Sequence, residues 1–238
     1  MSMPIIEKSS RSSRSSRLRL HQFAVACALI VPIAACSGQN NTVAPMNASL
    51  QTSPDAPPLR TLNPAPRRAF EVRVVLDGAP GPFTRVSAVA QYDVSNEAEC
   101  GKKDELAGVF LSITSNETVS LTRVSDTEYA GTVYADGIVD EDYYGRGVCH
   151  WELTEARVVL QAGKDEADTR FVADLPAAAI LGQGSRTKHF WTGYYPSAEM
   201  PGFREFGNTD LKTAQGRQAA DQRDAFFSVT VTAKETTK

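Results

Sequence analysis

The chain has 238 residues, with 25 Lys and Arg against 28 Asp and Glu and a formal net charge of −3. That balance lacks the basic surplus that nucleic acid or an anionic lipid surface demands, so a basic protein or a cation is the better electrostatic match.

The chain opens with a basic stretch, Arg11 to Arg19, followed by an apolar segment from Phe23 to Ala35 that only Pro32 interrupts. A basic region and then a short apolar region is the layout of a secretory signal. At 13 residues the segment is too short for a membrane-spanning helix, which needs about 20. The longest later apolar run, Leu175 to Leu181, is broken by Pro176.

The segment ends in Ile33-Ala34-Ala35-Cys36, which resembles the lipobox of bacterial lipoproteins. The resemblance implies that residues 1–35 are cleaved as a signal peptide, that the Cys36 thiol receives a diacylglycerol, and that the new N-terminus is acylated. The lipid bilayer is then the first partner, held through acylated Cys36. Each buried methylene adds roughly 0.8 kcal/mol, so several chains on one residue anchor firmly. Ser37 stands where many inner-membrane lipoproteins carry Asp, which implies the outer membrane, with the domain facing the periplasm. Cleavage removes five basic residues (Lys8, Arg11, Arg14, Arg17, Arg19) and one acid (Glu7), leaving 20 basic against 27 acidic side chains and a net charge of −7.

Residues 36–68 hold six prolines (45, 54, 57, 58, 64, 66) and little periodicity, the signature of a flexible linker. About 30 such residues reach roughly 30 Å as a coil and about 100 Å when stretched. About 170 residues remain for one domain, 69–238, with a sizeable core.

Strand patterning begins at Phe70, where Phe70, Val72 and Val74 alternate with Glu71 and Arg73. After the turn Gly78-Ala79-Pro80-Gly81-Pro82, a second alternating run from Val86 to Val94 predicts a hairpin with the first. Further predicted strands are 108–114, 118–124, 129–135, 148–153, 156–162, 169–173 and 226–233. Helix is confined to a turn or two near Pro176 to Leu181 and a polar stretch near Gly216 to Asp224. Short strands at regular spacing predict a mainly β, antiparallel sandwich or barrel-like single domain with one or two short helices.

Of four cysteines, Cys27 leaves with the signal and Cys36 takes lipid. Cys100 and Cys149 remain in an oxidising compartment and are expected to pair. Alternation puts Cys149, Trp151 and Leu153 on one face and Val148, His150 and Glu152 on the other. The tryptophan follows the second cysteine, unlike the immunoglobulin arrangement, so the sandwich class is assigned without that family.

Two segments carry candidate binding residues. Asp136 to Gly145 holds Asp140, Glu141 and Asp142 beside Tyr143 and Tyr144. Its spacing fails the EF-hand test: counted from Asp140, the fifth position is Tyr144 and the twelfth is Trp151. A solvated acidic turn is the plain alternative; as a binding patch, the acids steer a basic partner and the tyrosines anchor it. The second segment, His189 to Pro196, offers Trp191, Tyr194 and Tyr195 as a recognition loop, with Phe190 and Phe206 assigned to the core.

Catalytic constellations are poor, and a carboxylate pair for glycoside cleavage would be set by the fold and not by the sequence. Only His150 and His189 remain in the mature chain, and there is no G-x-S-x-G. Ser185-Arg186-Thr187-Lys188 matches S-x-x-K without the S-D-N and K-T-G partners of penicillin-recognising enzymes. No cofactor or metal is expected, and the chain reads as non-enzymatic. Its plan of leader, tether, one stapled domain and acidic-aromatic loops resembles that of periplasmic immunity and inhibitor lipoproteins. The net charge favours a periplasmic protein with a basic surface as partner, and Asp140, Glu141, Asp142, Tyr143 and Tyr144 with Trp191, Tyr194 and Tyr195 are expected to form its contact surface. An envelope structural or glycan-associated lipoprotein is the alternative, and a small periplasmic hydrolase the third.

Overall fold

The computed structural model describes residues 58–222 and 224–236, which fall in one compact unit. Cys36, with its lipobox and leader, lies outside the described residues. In chain order the strands are β1 (Ala69–Asp77), β2 (Arg85–Val94), β3 (Thr114–Val119), β4 (Thr122–Arg123) and β5 (Glu128–Tyr134). There follow β6 (Trp151–Gln161), β7 (Arg170–Pro176), β8 (Ser185–Trp191), β9 (Arg204–Glu205) and β10 (Phe226–Thr236). Short helices α1 (Glu97–Cys100), α2 (Ala177–Leu181) and α3 (Leu211–Gly216) connect them.

The strands form two five-stranded sheets, β4-β5-β1-β10-β8 and β3-β2-β6-β7-β9. All pairings are antiparallel except β7 with β9. This is the predicted mainly β, sandwich-like domain. Period-2 alternation turns Phe70, Val72, Val74 and Leu76 of β1 inward, and Phe227, Val229, Val231 and Ala233 of β10 beside them. From the second sheet Val158, Leu160, Phe171 and Leu175 face them, all fully buried. The rings of Phe83, Phe171, Phe190 and Phe227 meet in the centre, with Phe171 and Phe227 centroids 5.2 Å apart in an edge-to-face arrangement.

The predicted β1–β2 hairpin is corrected. β1 pairs with β5 and β10, whereas β2 pairs with β3 and β6. The Gly78–Thr84 connection crosses between sheets and drops Phe83 into the core, while Pro80 and Pro82 have no N–H to offer a ladder. The runs predicted at 148–153 and 156–162 are one strand, β6, bent by a register shift opposite Gln91 and Tyr92. Residues 108–113 form no strand; Phe110 makes one isolated bridge to Lys103. β8 was hidden by its polar, half-buried pattern Ser185-Arg-Thr-Lys-His, which an edge strand tolerates because one side faces solvent.

The linker boundary also moves. Residues 59–68, assigned above to the flexible linker, lie against the 134–144 segment. Asn63 N–H donates to Gly137 O and Val139 N–H to Thr61 O, both at 2.9 Å. The Asp136 carboxylate accepts the backbone N–H groups of Arg67 and Arg68, and the Arg60 guanidinium pairs with Glu117. Two prolines here do not prevent docking, because an extended segment keeps the N–H groups of its other residues.

Register fixes two ends of the sandwich. At the entry end lie Ala69, Tyr134 and Thr236 of the first sheet and Val94 and Trp151 of the second. At the distal end lie Asp77, Trp191 and Phe226, and across the short β1–β2 connection Arg85 and Gln161.

Candidate binding site

The acidic segment leaves β5 at the entry end and returns to β6. Its carboxylates serve its own backbone. Asp140 accepts the Trp151 N–H at 2.9 Å and stands 2.8 Å from His150 Nδ1. Asp142 caps a turn, accepting from Tyr144, Gly145 and Arg146 N–H. Desolvation pushes the Asp142 carboxyl up, but backbone N–H donors from Gly147, Arg146, Gly145 and Tyr144 outweigh it and hold it below the ordinary carboxylate range. Glu141 accepts from the Thr61 hydroxyl, and its carbonyl accepts the Cys149 N–H. Among the described residues no group of three or more His, Cys, Asp or Glu is placed to hold a metal ion.

The tyrosines are likewise turned onto the domain. Tyr143 and Tyr144 are half-buried and pack against the core. Tyr143 donates to Val139 O at 2.6 Å, and burial raises the Tyr144 phenol. The Cys100–Cys149 disulfide, with both residues fully buried, ties α1 to the base of this segment. Cys149, Trp151 and Leu153 are buried while Val148, His150 and Glu152 are exposed, as alternation predicts.

The aromatic segment is at the distal end, at the close of β8. Trp191 and Tyr194 meet edge to face with centroids 4.9 Å apart, and Tyr194 meets Phe203 at 5.1 Å. With Ser197, Glu199 and Met200 they line a cleft of about 460 Å³, within the range of small-ligand sites. The loop is pinned to the start of β7: Thr169 N–H donates to Pro196 O at 3.0 Å and Arg170 N–H to Phe203 O at 2.8 Å. A side chain at Gly193 would stand 2.4 Å from the Trp191 ring, so the indole rests on bare backbone there. The Trp191 indole nitrogen is enclosed and has no protein acceptor.

Not every predicted residue joins this cleft. Tyr195 packs edge to face on Phe83 at 5.5 Å and donates its hydroxyl to Pro82 O at 2.8 Å, which makes it a brace between loops. Phe190 is buried as predicted, but Phe206 is 54% exposed and is corrected to a surface ring. Met200 and Phe203 complete the cleft; the only signal for them is that the aromatic run resumes after Pro196.

The single contact surface expected from both segments is therefore corrected. Asp140 to Tyr144 lie at the entry end and Trp191 and Tyr194 at the distal end, separated by the length of β10 from Thr236 to Phe226, about 33 Å at the usual rise per residue. His150 and His189 share no site, since one precedes β6 at the entry end and the other is two residues from the close of β8. Ser185 and Lys188, three apart on a strand, project to opposite faces. Comparison with known proteins finds no matching family model, no matching curated relative and no matching solved structure, so the cleft rests on its own geometry.

Proposed function

We propose that the protein is a lipid-anchored periplasmic binding protein that engages its partner through the Trp191–Tyr194–Phe203 cleft. The observation that carries this reading is the position of the cleft. Residues 59–68 enter the domain beside Tyr143 and Tyr144, and the aromatic cleft opens at the other end. A domain tethered through Cys36 thus carries this aromatic recess on the end opposite the tether. Trp and Tyr in such a recess are the side chains that dominate binding energy. The net charge of −7 in the chain from Cys36 onward then acts at long range, steering a periplasmic protein with a basic surface toward the domain. In its sharper form the partner is a toxic effector or lytic enzyme, and binding neutralises it.

A second reading, attachment to glycan or peptidoglycan, is favoured by one feature: Glu199 and Ser197 stand beside the aromatic rings, offering a carboxylate and a hydroxyl to sugar hydroxyls. The test is capture from an envelope extract by the full chain and by Trp191→Ala, Tyr194→Ala and Asp142→Ala. A protein retained by wild type and Asp142→Ala but lost by both cleft variants supports the inhibitor reading. Retention on isolated sacculi with the same pattern supports the glycan reading. Equal capture by all four chains overturns the cleft as the site.

A further inference from the structure

We infer that the outer face of the second sheet carries a binding groove for an oxyanion, a phosphate or carboxylate group, built on Arg85, Gln161, Arg170 and Arg204. The inference does not depend on the function proposed above.

Register brings these four residues into one row. Arg85 of β2 is opposite Gln161 of β6, Leu160 of β6 is opposite Phe171 of β7, and Arg170 of β7 is opposite Arg204 of β9. Residues opposite one another point to the same face, and all four line one groove of about 390 Å³. Four strands span about 14 Å at the usual spacing, a distance that long arginine side chains easily close.

The charge arrangement is the unusual part. Several arginines of the domain are neutralised: Arg60 by Glu117, Arg73 by Glu71 and Glu128, Arg186 by Asp174, and Arg157, which lines the same groove, by Glu155. Among the described residues Arg85, Arg170 and Arg204 have no carboxylate partner and no side-chain hydrogen bond. Like charges placed across neighbouring strands repel, so this row destabilises the protein unless an anion occupies it. Between Arg85 and Arg170 sits Gln161, only 3% exposed, whose amide nitrogen has no acceptor. A buried amide donor flanked by uncompensated guanidiniums matches an oxyanion, which accepts several charge-assisted bonds at once.

The floor suggests what accompanies the charge. Val159, Val172 and the exposed ring of Phe206 line the same groove, so the ligand carries an apolar or ring-shaped body beside its anionic group. The overall acidity of the chain hides this patch, because net charge averages over faces that a ligand meets one at a time.

The test is titration of the full chain at low ionic strength with pyrophosphate and, in a parallel arm, with citrate. Saturable binding in one arm identifies the group as phosphate or carboxylate, and binding in both shows that oxyanion chemistry suffices. Arg170→Gln and Arg204→Gln are each expected to weaken binding about tenfold, the scale of one charge-assisted bond, while Arg123→Gln on β4 leaves it unchanged. Without anion, the two groove variants are expected to melt at or above the wild-type temperature, because each removes a repelling charge; a purely structural arginine would lower it. Should Arg170→Gln fold poorly, exposed Arg204 supplies the same comparison. Absence of saturation in both arms, or equal weakening by Arg123→Gln, overturns the inference.

Discussion

The backbone N–H of Thr61 donates to the phenol oxygen of Tyr143 at 3.0 Å, joining a residue from the proline-rich approach to one from the acidic loop. Tyr143 donates its own O–H to Val139 O, so one hydroxyl holds both the approach segment and the loop turn. Replacing it by Phe removes both bonds. Tyr143→Phe is expected to destabilise the domain by about 1–2 kcal/mol, read from denaturant midpoints, and to expose residues 59–68 to proteolysis before the rest of the domain. Equal protection of that segment in wild type and variant would show that the docking does not depend on Tyr143.

Acid should release the same segment. Burial works to raise the Asp136 carboxyl, but the N–H groups of Arg67 and Arg68 outweigh it and hold it below the ordinary range. Glu117 is held low first by its hydrogen bond from Arg60, against the opposing effect of burial. A carboxyl whose folded pKa is depressed contributes its stability in full above the unfolded value, about 4, and loses it as pH falls through the folded value. The denaturant midpoint should therefore drop below about pH 4, and Asp136→Asn should flatten that drop. An unchanged acid slope in the variant would remove Asp136 from the account.

The sandwich class was legible because β1 and β10 bury one face and alternate cleanly, whereas β6 breaks its alternation at the register shift and β7 buries Phe171, Val172 and Ala173 in succession. What the pattern could not show was which strands share a sheet: β1 and β2 are equally good hairpin partners by sequence, and only the inward placement of Phe83 separates them. The candidate residues were legible as types but not as surfaces. Asp140, Asp142 and Tyr143 read as exposed binders, yet their polar atoms satisfy backbone groups of a loop that otherwise lacks partners. The arginine row arises from register across four strands far apart in sequence, and no local window contains it.

The Cys100–Cys149 bond closes a 49-residue separation around β3, β4 and β5. Loop entropy alone puts its contribution near 4 kcal/mol. Both cysteines are buried at the base of the acidic loop, so the double variant Cys100→Ala, Cys149→Ala is expected to melt well below wild type while retaining the aromatic cleft at the other end. Trp191 fluorescence in a Trp151→Phe background reports on that end directly, since the chain has 2 tryptophans. A blue-shifted Trp191 signal that survives loss of the bond would separate the two ends; its collapse at temperatures where the sheets remain folded would couple them.

The most local test concerns Gly193. Its backbone lies outside the left-handed region, so a methyl group meets only a contact problem: the Trp191 ring 2.4 Å away. Because that ring is the far end of a side chain and not backbone, it swings aside at small cost to the fold and larger cost to the cleft. Trp191 packs on Tyr194, which packs on Phe203, so displacement passes along the whole wall. Gly193→Ala should therefore leave the melting temperature within a few degrees, about 1 kcal/mol or less, and shift Trp191 emission as the indole N–H reaches water. Partner capture should fall as far as it does for Tyr194→Ala. Unaltered emission together with unaltered capture would mean that the wall tolerates the methyl and that its present geometry is not what a partner reads.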